Sequence, residues 1–393
     1  MKRKVILTFF LLLAVLSGAV LPVFAQATAP ISEGSAEIAA DAAVTLDCVS
    51  AVLMDAKTGE VLVAKNENAA LPPASVTKIM TLLLVMEAVD EGRVSLSDTV
   101  TVSERAAAMG GSQVYLKVGE EMCLEEMLKC VVIASANDCA VALAEHVAGS
   151  EAAFVALMNK RAAELGMLNT HFENTNGLDD TVENHVTSAL DIALMSRALI
   201  SHPKILEYSS IWQDTIRDGA FGLTNTNRLV RFYRGCTGLK TGSTARAKFC
   251  MSATAERDGV SLIAVIMAAP TRDARNNAAA ALLDYGFANY CTMQAAGDTM
   301  DAPVLGGVSQ AVAVSYPDFM KTLPKGADAR VERKIELEDA LNAPIKAGDT
   351  VGRVTYMLDG ELLGEVPITA TADVARLGFG TLFLRLLRGG MLR

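Results

Sequence analysis

The segments that predict β-strands lie at two places far apart in the chain, with a long helical region between them. "AVLMDAKTGEVLVAKN" (51–66) has two apolar runs around a glycine-containing turn, which is typical of a β-hairpin. Residues 237–269 have a second strand pattern, with a hairpin turn at Asp258-Gly259. Helical apolar spacing dominates residues 73–199 and returns at about 273–288. This order predicts an α+β domain of two lobes, with a cleft between the lobes as the natural place for a site.

The C-terminal part of the chain predicts a second domain and a terminal helix. Residues 300–372 contain short, alternating, turn-bounded segments such as "QAVAVSYP", which favour a small β-sandwich. Residues 373–393 fit an amphipathic helix with a narrow polar stripe of Thr381, Arg385 and Arg388. Because residues 374–393 carry four arginines and no acid, they are expected to bind an anionic membrane surface. A helix that docks on the protein itself is the alternative.

The N-terminus predicts export. "MKRK" followed by an apolar stretch of 21 residues is typical of a signal peptide, residues 1–25, that ends at Val23-Phe24-Ala25. An uncleaved anchor is the alternative, because that stretch is long enough to span a membrane. Residues 26–46 are rich in Ala, Ser, Thr and Gly and predict a linker. The rest of the chain is therefore expected on the outer face of the cytoplasmic membrane.

Charge and composition exclude several classes of function. The net charge of −10 argues against a nucleic-acid partner. The chain has no phosphate-binding or dinucleotide fingerprint, so no cofactor is expected. Seven scattered cysteines and four histidines show no metal-ligand spacing, so no metal is expected, and most of these residues are predicted to be structural. They are Cys48, Cys123, Cys130, Cys139, Cys236, Cys250, Cys291, His146, His171, His185 and His202.

A serine and a lysine stand at the start of the most apolar helical pattern. In "LPPASVTKIMTLLLVME" (71–87), Ser75 and Lys78 are three residues apart and share a helix face. The helix is apolar almost all round, which is typical of a buried helix. Burial and the positive helix end both favour the neutral form of this lysine. Neutral Lys78 can accept the hydroxyl proton of Ser75, which makes that hydroxyl a candidate nucleophile.

Two further motifs strengthen this hypothesis, because SxxK alone is weak. A second SxxK, Ser201 to Lys204, has a proline and a polar setting typical of a loop. Ser135-Ala136-Asn137 lies between two apolar helical runs, and Lys240-Thr241-Gly242 opens a strand pattern. The earlier Lys57-Thr58-Gly59 lies in a hairpin turn before the serine and has the wrong order. SxxK, SxN and KTG in this order are the signature of penicillin-recognising serine enzymes.

From about residue 47 onward, the chain resembles the D-alanyl-D-alanine carboxypeptidases, which are low-molecular-mass penicillin-binding proteins. "GSQVYLKVGE", "ENTNGLDD" and "TNRLVRFYRGCTGLKTGST" resemble the family's connecting segments, and "APIKAGDTVGRV" resembles its C-terminal β domain. The resemblance implies a penicillin-binding/β-lactamase-like catalytic domain over residues 47–295, with an antiparallel sheet flanked by helices and a helical lobe. It also implies removal of the terminal D-alanine from peptidoglycan pentapeptide stems, and covalent inhibition by β-lactams.

The resemblance implies a role for each motif residue. Ser75 would be the nucleophile and Lys78 its general base. Ser135 would relay a proton to the leaving amine, and Asn137 would hold the amide side of the substrate. The remaining implied substrate-binding residues are Lys240, Thr241 and Gly242 for the terminal carboxylate, Ser243 for an oxyanion hole shared with the backbone of Ser75, and Arg275 as a looser carboxylate candidate.

Alternatives remain for the individual residues and for the activity. Ser135 and Asn137 could be helix caps, and Lys240 could be an edge-strand charge. An endopeptidase that cuts crosslinks would use the same site. A class A β-lactamase would add an ExxxN segment, which is absent between the SxN and KTG motifs, and a non-catalytic scaffold would lack the nucleophile or the lysine. Ser243 stands where many relatives have an aromatic residue or His, and the basic "ARAKFC" follows it; both bear on specificity.

Overall fold

The computed structural model describes residues 44–383 of the chain. The helices are α1 (Lys78–Asp90), α2 (Glu104–Ala107), α3 (Leu124–Ile133), α4 (Asn137–Ala148), α5 (Glu151–Glu164), α6 (Ala189–Ile200), α7 (Pro203–Ser209), α8 (Leu229–Phe232) and α9 (Arg272–Asn289), with 3-10 turns at Ala74–Thr77 and Asp328–Arg330. The strands are β1 (Ser50–Asp55), β2 (Val61–Lys65), β3 (Thr99–Thr101), β4 (Glu121–Cys123), β5 (Gln213–Ile216), β6 (Phe221–Thr224), β7 (Cys236–Thr244), β8 (Lys248–Arg257), β9 (Val260–Ala269), β10 (Tyr290–Ala295), β11 (Asp298–Leu305), β12 (Ala311–Tyr316), β13 (Phe319–Pro324), β14 (Val331–Leu337), β15 (Leu341–Asn342), β16 (Thr350–Leu358) and β17 (Glu361–Ala370).

The two distant strand regions join in one antiparallel sheet of order β2-β1-β9-β8-β7. Ala51 of β1 lies opposite Ile266 of β9, which confirms the predicted α+β arrangement. Both faces of the sheet are covered, because α6 packs on one face and α9 on the other. Successive residues of β9 therefore enter different cores: Val265 joins the core with the helical lobe and Ile266 joins the core under α9.

The helical lobe is built around α1, which is buried almost all round as its sequence predicts. The helices α3 and α4 pack beside it but do not form one continuous helix. Ser135 lies in the break between them with a φ of 62°, in the left-handed region that non-glycine residues adopt uncommonly. This break leaves Ser135 and Ala136 outside both helices and places Asn137 at the start of α4.

The second SxxK segment, residues 201–204, was predicted to be a loop, but its last two residues are helical. Pro203 is the first residue of α7, where proline is tolerated because the first helical N–H has no intrahelical partner. Ser201 is the C-cap that follows the last residue of α6, so Ser201 and Lys204 do not share one helix. The two residues therefore lack the geometry that makes SxxK a chemical pair.

The C-terminal part is a small β domain, as predicted. Its six-stranded sheet has the order β14-β16-β17-β12-β11-β15, and β10 pairs with β13 in a separate two-stranded ribbon. The ribbon packs on the sheet through Phe319, whose ring stacks on Tyr356 with centroids 4.2 Å apart. The first strand begins at Tyr290, ten residues before the predicted start at residue 300.

The ribbon also contacts the catalytic domain through the β1–β2 hairpin. Thr292 Oγ1 donates a hydrogen bond to Asp55 Oδ2 at 2.6 Å, and Thr58 Oγ1 lies 2.7 Å from Thr322 Oγ1. Lys57-Thr58-Gly59, the second KTG in the sequence, is therefore part of the contact between the domains.

At both ends of the chain, the structure differs from the predicted boundaries, and some predicted segments lie outside the described residues. Leu46 is buried in the core under α9, so the packed part of the chain begins inside the predicted linker. Val374 and Arg376 form β-bridges with Ile345 and Gly307, so these residues belong to the β domain and not to the predicted terminal helix, which begins at residue 379. The predicted signal peptide and residues 384–393 lie outside the described residues.

Within residues 44–383, no single helix has the length and apolar composition to cross a membrane, and one bent pair, α4 with α5, meets both criteria only when its two members are taken together.

Candidate active site

Ser75 and Lys78 lie where a 3-10 turn becomes the helix α1. Ser75 is in the turn Ala74–Thr77, and Lys78 is the first residue of the helix. Their spacing of three residues brings Lys78 Nζ to 2.9 Å from Ser75 Oγ. Ala74 has a φ of 50°, so the chain enters this turn through a strained residue that sets the direction of the serine. The pair predicted from spacing is in hydrogen-bond contact.

Lys78 is fully buried and surrounded by acceptors. Its Nζ donates to Asn137 Oδ1 at 2.6 Å and to the carbonyl oxygen of Asn176 at 2.9 Å. Burial lowers the pKa of Lys78 well below its ordinary value, and the nearby charge of Lys240 lowers it further, while Asp138 opposes the shift. The amine is therefore held close to the serine hydroxyl in an environment that favours its neutral form.

The SxN motif supplies the next contacts. Asn137 begins α4, and its Nδ2 donates to the carbonyl oxygen of Gly110 at 2.7 Å, which fixes the orientation of the side-chain amide toward Lys78. Ser135 Oγ accepts a hydrogen bond from Lys240 Nζ at 2.8 Å. Ser135 thus connects the helical lobe to the strand that carries the KTG motif.

The KTG motif lies on the edge strand β7, beside the serine. Lys240 is 1% exposed, and burial followed by the charge of Arg275 lowers its pKa to about 7. Thr241 Oγ1 donates to Thr226 Oγ1 at 2.8 Å. A Cβ on Gly242 would lie 2.8 Å from the backbone nitrogen of Ser75. Only glycine therefore allows the strand to run this close to the turn Ala74–Thr77, the nucleophile turn. Ser243 follows on the same strand.

Arg275 lies on α9, behind the sheet, and is 3% exposed. Its Nε and Nη2 donate to Asn276 Oδ1 at 3.1 and 2.9 Å, so its hydrogen bonds are not to the motif residues. Its charge is near enough to depress the pKa of Lys240. The predicted role of Arg275 in carboxylate binding stays a prediction.

Two groups at this site have no signature in the sequence. The carbonyl of Asn176 holds Lys78 from 98 residues away, and the imidazole of His185 lies beneath the nucleophile turn, where its Nε2 is 2.8 Å from Thr77 Oγ1. A backbone carbonyl has no residue signature, and His185 was predicted only to be structural. Neither contact has a local pattern that could have indicated it.

The assembled groups can activate a hydroxyl and bind an anion. One buried amine touches the Ser75 hydroxyl and a second touches the Ser135 hydroxyl. Within the described part of the chain, no group of three His, Cys, Asp or Glu side chains is placed to hold a metal ion. The arrangement fits nucleophilic attack by serine with lysine as base.

Comparison with known proteins gives two family matches. Residues 36–271 match the peptidase S11 family, described as D-alanyl-D-alanine carboxypeptidase, and residues 290–376 match the C-terminal domain of penicillin-binding protein 5. The second match begins at the first strand of the β domain, which supports the earlier boundary at residue 290.

Individual relatives agree with both matches. D-alanyl-D-alanine carboxypeptidase DacF of Bacillus subtilis is 43% identical over 344 residues, which cover 86% of this chain and 88% of that protein. Penicillin-binding protein 5 of Haemophilus influenzae has a similar structure, with a TM-score of 0.75, 31% identity, and coverage of 85% of this chain and 99% of that one. Penicillin-binding protein D2 of Listeria monocytogenes in its ampicillin-bound form is 32% identical, with a TM-score of 0.57 over 62% of this chain and 99% of that one.

The SxxK, SxN and KTG residues meet in one buried site, both domains match the same kind of protein, and the identity to a full-length relative is high. The chain therefore belongs to the D-alanyl-D-alanine carboxypeptidase family of serine peptidases.

Proposed function

We propose that this chain removes the terminal D-alanine from peptidoglycan stem peptides that end in D-Ala-D-Ala, through an acyl-enzyme on Ser75. The observation that carries the proposal is the position of Lys78 Nζ, 2.9 Å from Ser75 Oγ in a fully buried environment. Burial lowers the pKa of Lys78 well below its ordinary value, so this amine gives up its proton more readily than an exposed lysine and is suited to act as a base.

In the acylation step, Ser75 Oγ attacks the carbonyl carbon between the two D-alanines and its proton passes to Lys78 Nζ. The C–N bond then breaks, and Ser135 delivers a proton to the leaving amine while it regains one from Lys78. Free D-alanine leaves, and the rest of the stem stays on Ser75 as an ester. The backbone N–H groups of Ser75 and Ser243 would stabilise the oxyanion, and each such donor is typically worth about a hundred- to a thousandfold in rate.

In the deacylation step, a water molecule gives a proton to Lys78 and attacks the ester carbonyl. The C–Oγ bond breaks, and Ser75 Oγ recovers its proton. Asn137 would hold the amide side of the stem, since its own amide is fixed by Lys78 and by the carbonyl of Gly110. Lys240 and Thr241 would bind the terminal carboxylate, with Arg275 adding positive charge behind them.

The same serine would react with β-lactams, whose ring carbonyl takes the place of the scissile amide. The Listeria relative was solved with ampicillin and with cefotaxime bound, which supports this expectation. A penicilloyl ester on Ser75 would persist because the bulky leaving group remains attached to the acyl group.

Incubation of the purified chain with a pentapeptide tests the activity. We expect release of one D-alanine per peptide and no release after Ser75→Ala. Crosslinked muropeptides offered to the same protein test the endopeptidase alternative, which uses the same groups: if crosslinks are cut faster than D-alanine is released from the pentapeptide, the carboxypeptidase assignment is wrong.

We further propose that the enzyme works on the outer side of the cytoplasmic membrane and binds its surface through the C-terminal helix. Support comes from the exposed apolar side chains at the start of that helix: Phe379 is 84% exposed, Phe383 53% and Leu382 43%. Apolar side chains so exposed at a chain end are suited to insertion at a lipid interface, and the arginines that follow in the sequence suit anionic headgroups.

A further inference from the structure

A buried carboxylate that the proposed mechanism does not use lies next to the SxN motif. Asp138 is the second residue of α4 and is 0% exposed. Its Oδ2 accepts from the backbone N–H of Val114 at 3.0 Å and of Leu116 at 3.1 Å, and its Oδ1 accepts from that of Cys139 at 2.9 Å. Within residues 44–383 this carboxylate forms no ion pair. A negative charge without a cationic partner is thus kept inside the catalytic lobe.

The carboxylate shapes the segment of residues 110–116. Because the N–H groups of Val114 and Leu116 both donate to the same oxygen, the residue between them, Tyr115, is turned outward with a φ of 59° and is 66% exposed. A non-glycine residue keeps this left-handed conformation only where the surrounding contacts enforce it. Arg217, which follows β5, adds a hydrogen bond to the carbonyl of Val114 at 2.9 Å. Contacts with other elements therefore hold the segment in one conformation.

The other end of this segment holds the amide of the SxN motif. The carbonyl of Gly110 accepts from Asn137 Nδ2 at 2.7 Å, and the carbonyl of Ser112 accepts from the backbone N–H of Asn137 at 2.7 Å. The segment is therefore anchored on two consecutive residues of α4, on Asn137 at one end and on Asp138 at the other. Since Asn137 Oδ1 accepts from Lys78 Nζ at 2.6 Å, a displacement of the segment would reach the base.

Charge gives Asp138 a second connection to Lys78. Burial and the charge of Lys240 on β7 lower the pKa of Lys78, and the charge of Asp138 on α4 raises it. The loop that faces Lys78 from another side contributes the carbonyl of Asn176, which has no net charge. Asp138 is thus the negative charge that opposes burial and Lys240. Without it, the amine would be a weaker base.

We propose that Asp138 is a positioning residue of the active site: its carboxylate holds residues 110–116 against the SxN motif, and its charge keeps the amine of Lys78 basic enough to take the proton of Ser75. The hydrogen bonds of Asp138 are to backbone groups, so it acts on the reaction through Asn137 and Lys78. The inference rests on the proposed function, because it assigns what sets the strength of the base in that reaction.

The test measures the second-order rate constant for acylation of the purified full-length chain by fluorescent penicillin as a function of pH. This rate constant should rise with pH as Lys78 loses its proton. In Asp138→Asn, the remaining side-chain oxygen can keep the bonds from Val114 and Leu116 while the charge is lost. We expect the rising limb to move to lower pH by about one unit, the effect of one partly screened buried charge. The plateau should fall about threefold, because a weaker base accepts the proton less readily.

Two further variants separate anchoring from charge and from stability. Asp138→Ala removes the bonds to the segment as well, so its plateau should fall about tenfold below that of Asp138→Asn as Asn137 and Lys78 lose their fixed positions. Asp191→Asn is the matched control, because Asp191 is also a buried carboxylate in the first turn of a helix and accepts a backbone N–H, that of Asn169 at 2.8 Å. Its charge does not act on Lys78, so its limb should stay at the wild-type pH even where its stability falls.

A limb at the wild-type pH in Asp138→Asn, or equal plateaus in Asp138→Asn and Asp138→Ala, overturns the proposal. The limb of Asp138→Asn remains decisive even where Asp138→Ala does not fold. Persistent labelling of Ser75→Ala would overturn the proposed function instead, since that variant keeps Asp138.

Discussion

The imidazole of His185 and the hydroxyl of Thr77 form a buried hydrogen bond of 2.8 Å directly beneath the nucleophile turn. The backbone N–H of Glu173 donates to His185 Nδ1 at 3.0 Å, so the proton of the neutral imidazole is on Nε2 and is donated to Thr77 Oγ1. Thr77 Oγ1 then donates to the carbonyl of Ala74 at 2.8 Å. This chain of bonds ends on the strained residue before Ser75 and holds the turn in place.

Thr77→Val is expected to loosen this turn. The substitution keeps the branched shape but leaves the His185 N–H and the Ala74 carbonyl buried without partners, at a cost of about 2–4 kcal/mol in the free energy of unfolding. Because the nucleophile is displaced, acylation by penicillin should slow by about 10- to 100-fold. Urea unfolding and stopped-flow acylation measure the two effects. Thr77→Ser keeps both bonds and should behave like the wild type; a wild-type acylation rate in Thr77→Val would contradict the positioning role.

Stability should depend on the protonation of His185 in mildly acidic solution. Burial, and secondarily the charge of His171, lowers the pKa of His185 from 6.5 to about 4. The unfolded chain binds this proton below about pH 6.5 and the folded chain does not, so the stabilisation is complete above pH 6.5 and is lost as the pH falls from 6.5 to 4. Between pH 7.5 and pH 5, the loss should be about 2 kcal/mol.

The variant His185→Gln isolates this contribution, because it keeps a hydrogen-bonding side chain that does not titrate. Urea unfolding at pH 7.5 and pH 5 should show a smaller acid loss for the variant than for the wild type. Equal losses in the two proteins would mean that His185 is not kept neutral by its surroundings.

Labelling with fluorescent penicillin should require Ser75 and Lys78 and no other SxxK pair. Ser75→Ala removes the nucleophile and should abolish the label, while Ser201→Ala, in the second SxxK, should label like the wild type. Lys78→Arg should be nearly inactive because arginine keeps its proton at physiological pH. A label that persists in Ser75→Ala would show that another residue is acylated.

The pH dependence of kcat/KM should report the charge of Lys240. In the proposed function, protonated Lys240 binds the carboxylate of the substrate, and burial together with the charge of Arg275 lowers the pKa of this lysine. In the free enzyme, kcat/KM should therefore fall as the pH rises through a value well below the ordinary lysine pKa. Lys240→Arg stays charged, so its falling limb should move to higher pH whatever its maximum rate. A limb at the same pH in both proteins would assign the titration to another group.

Removal of residues 379–393 should release the protein from membranes. Val374 and Arg376 pair with the β domain, so a chain that ends at Gly378 keeps its folded part intact. Sedimentation with vesicles should show binding of the full chain to anionic lipid and little binding of the truncated chain. Arg385→Glu/Arg388→Glu should weaken binding to anionic vesicles by about 1 kcal/mol or more per residue and change binding to neutral vesicles less. A truncated chain that still sediments would refute the anchor.

The pairing of Ser75 with Lys78 was predictable because it depends on local geometry. Helical spacing places them on one face, and the apolar run after them already indicated burial. The SxN and KTG motifs were predictable as types and by their order. Their contacts were not, since Lys240 meets Ser135 across 105 residues and this depends on how β7 lies against the helical lobe.

Where predictions failed, a tertiary contact or a tolerated exception was the reason. Pro203 begins a short helix although its surroundings are typical of a loop. Proline is tolerated there because the first residue of a helix makes no intrahelical hydrogen bond through its N–H. Val374 lies in a segment that was predicted to be an interfacial helix. It belongs to the β domain instead, because its backbone forms an antiparallel β-bridge with Ile345. Leu46 is packed because its apolar side chain joins the core under α9, a contact that the composition of residues 26–46 does not indicate.

The sequence by itself predicted the buried helix that follows Ser75, the β character of both domains and the candidate reacting groups, because these predictions depend on spacing and on periodic apolar residues. Only the tertiary structure decided that the carbonyl of Asn176 completes the surroundings of Lys78 and that His185 supports the turn that carries Ser75. Those features arise from groups about 100 residues apart, and no local pattern encodes contacts that form only when the lobes close around one another.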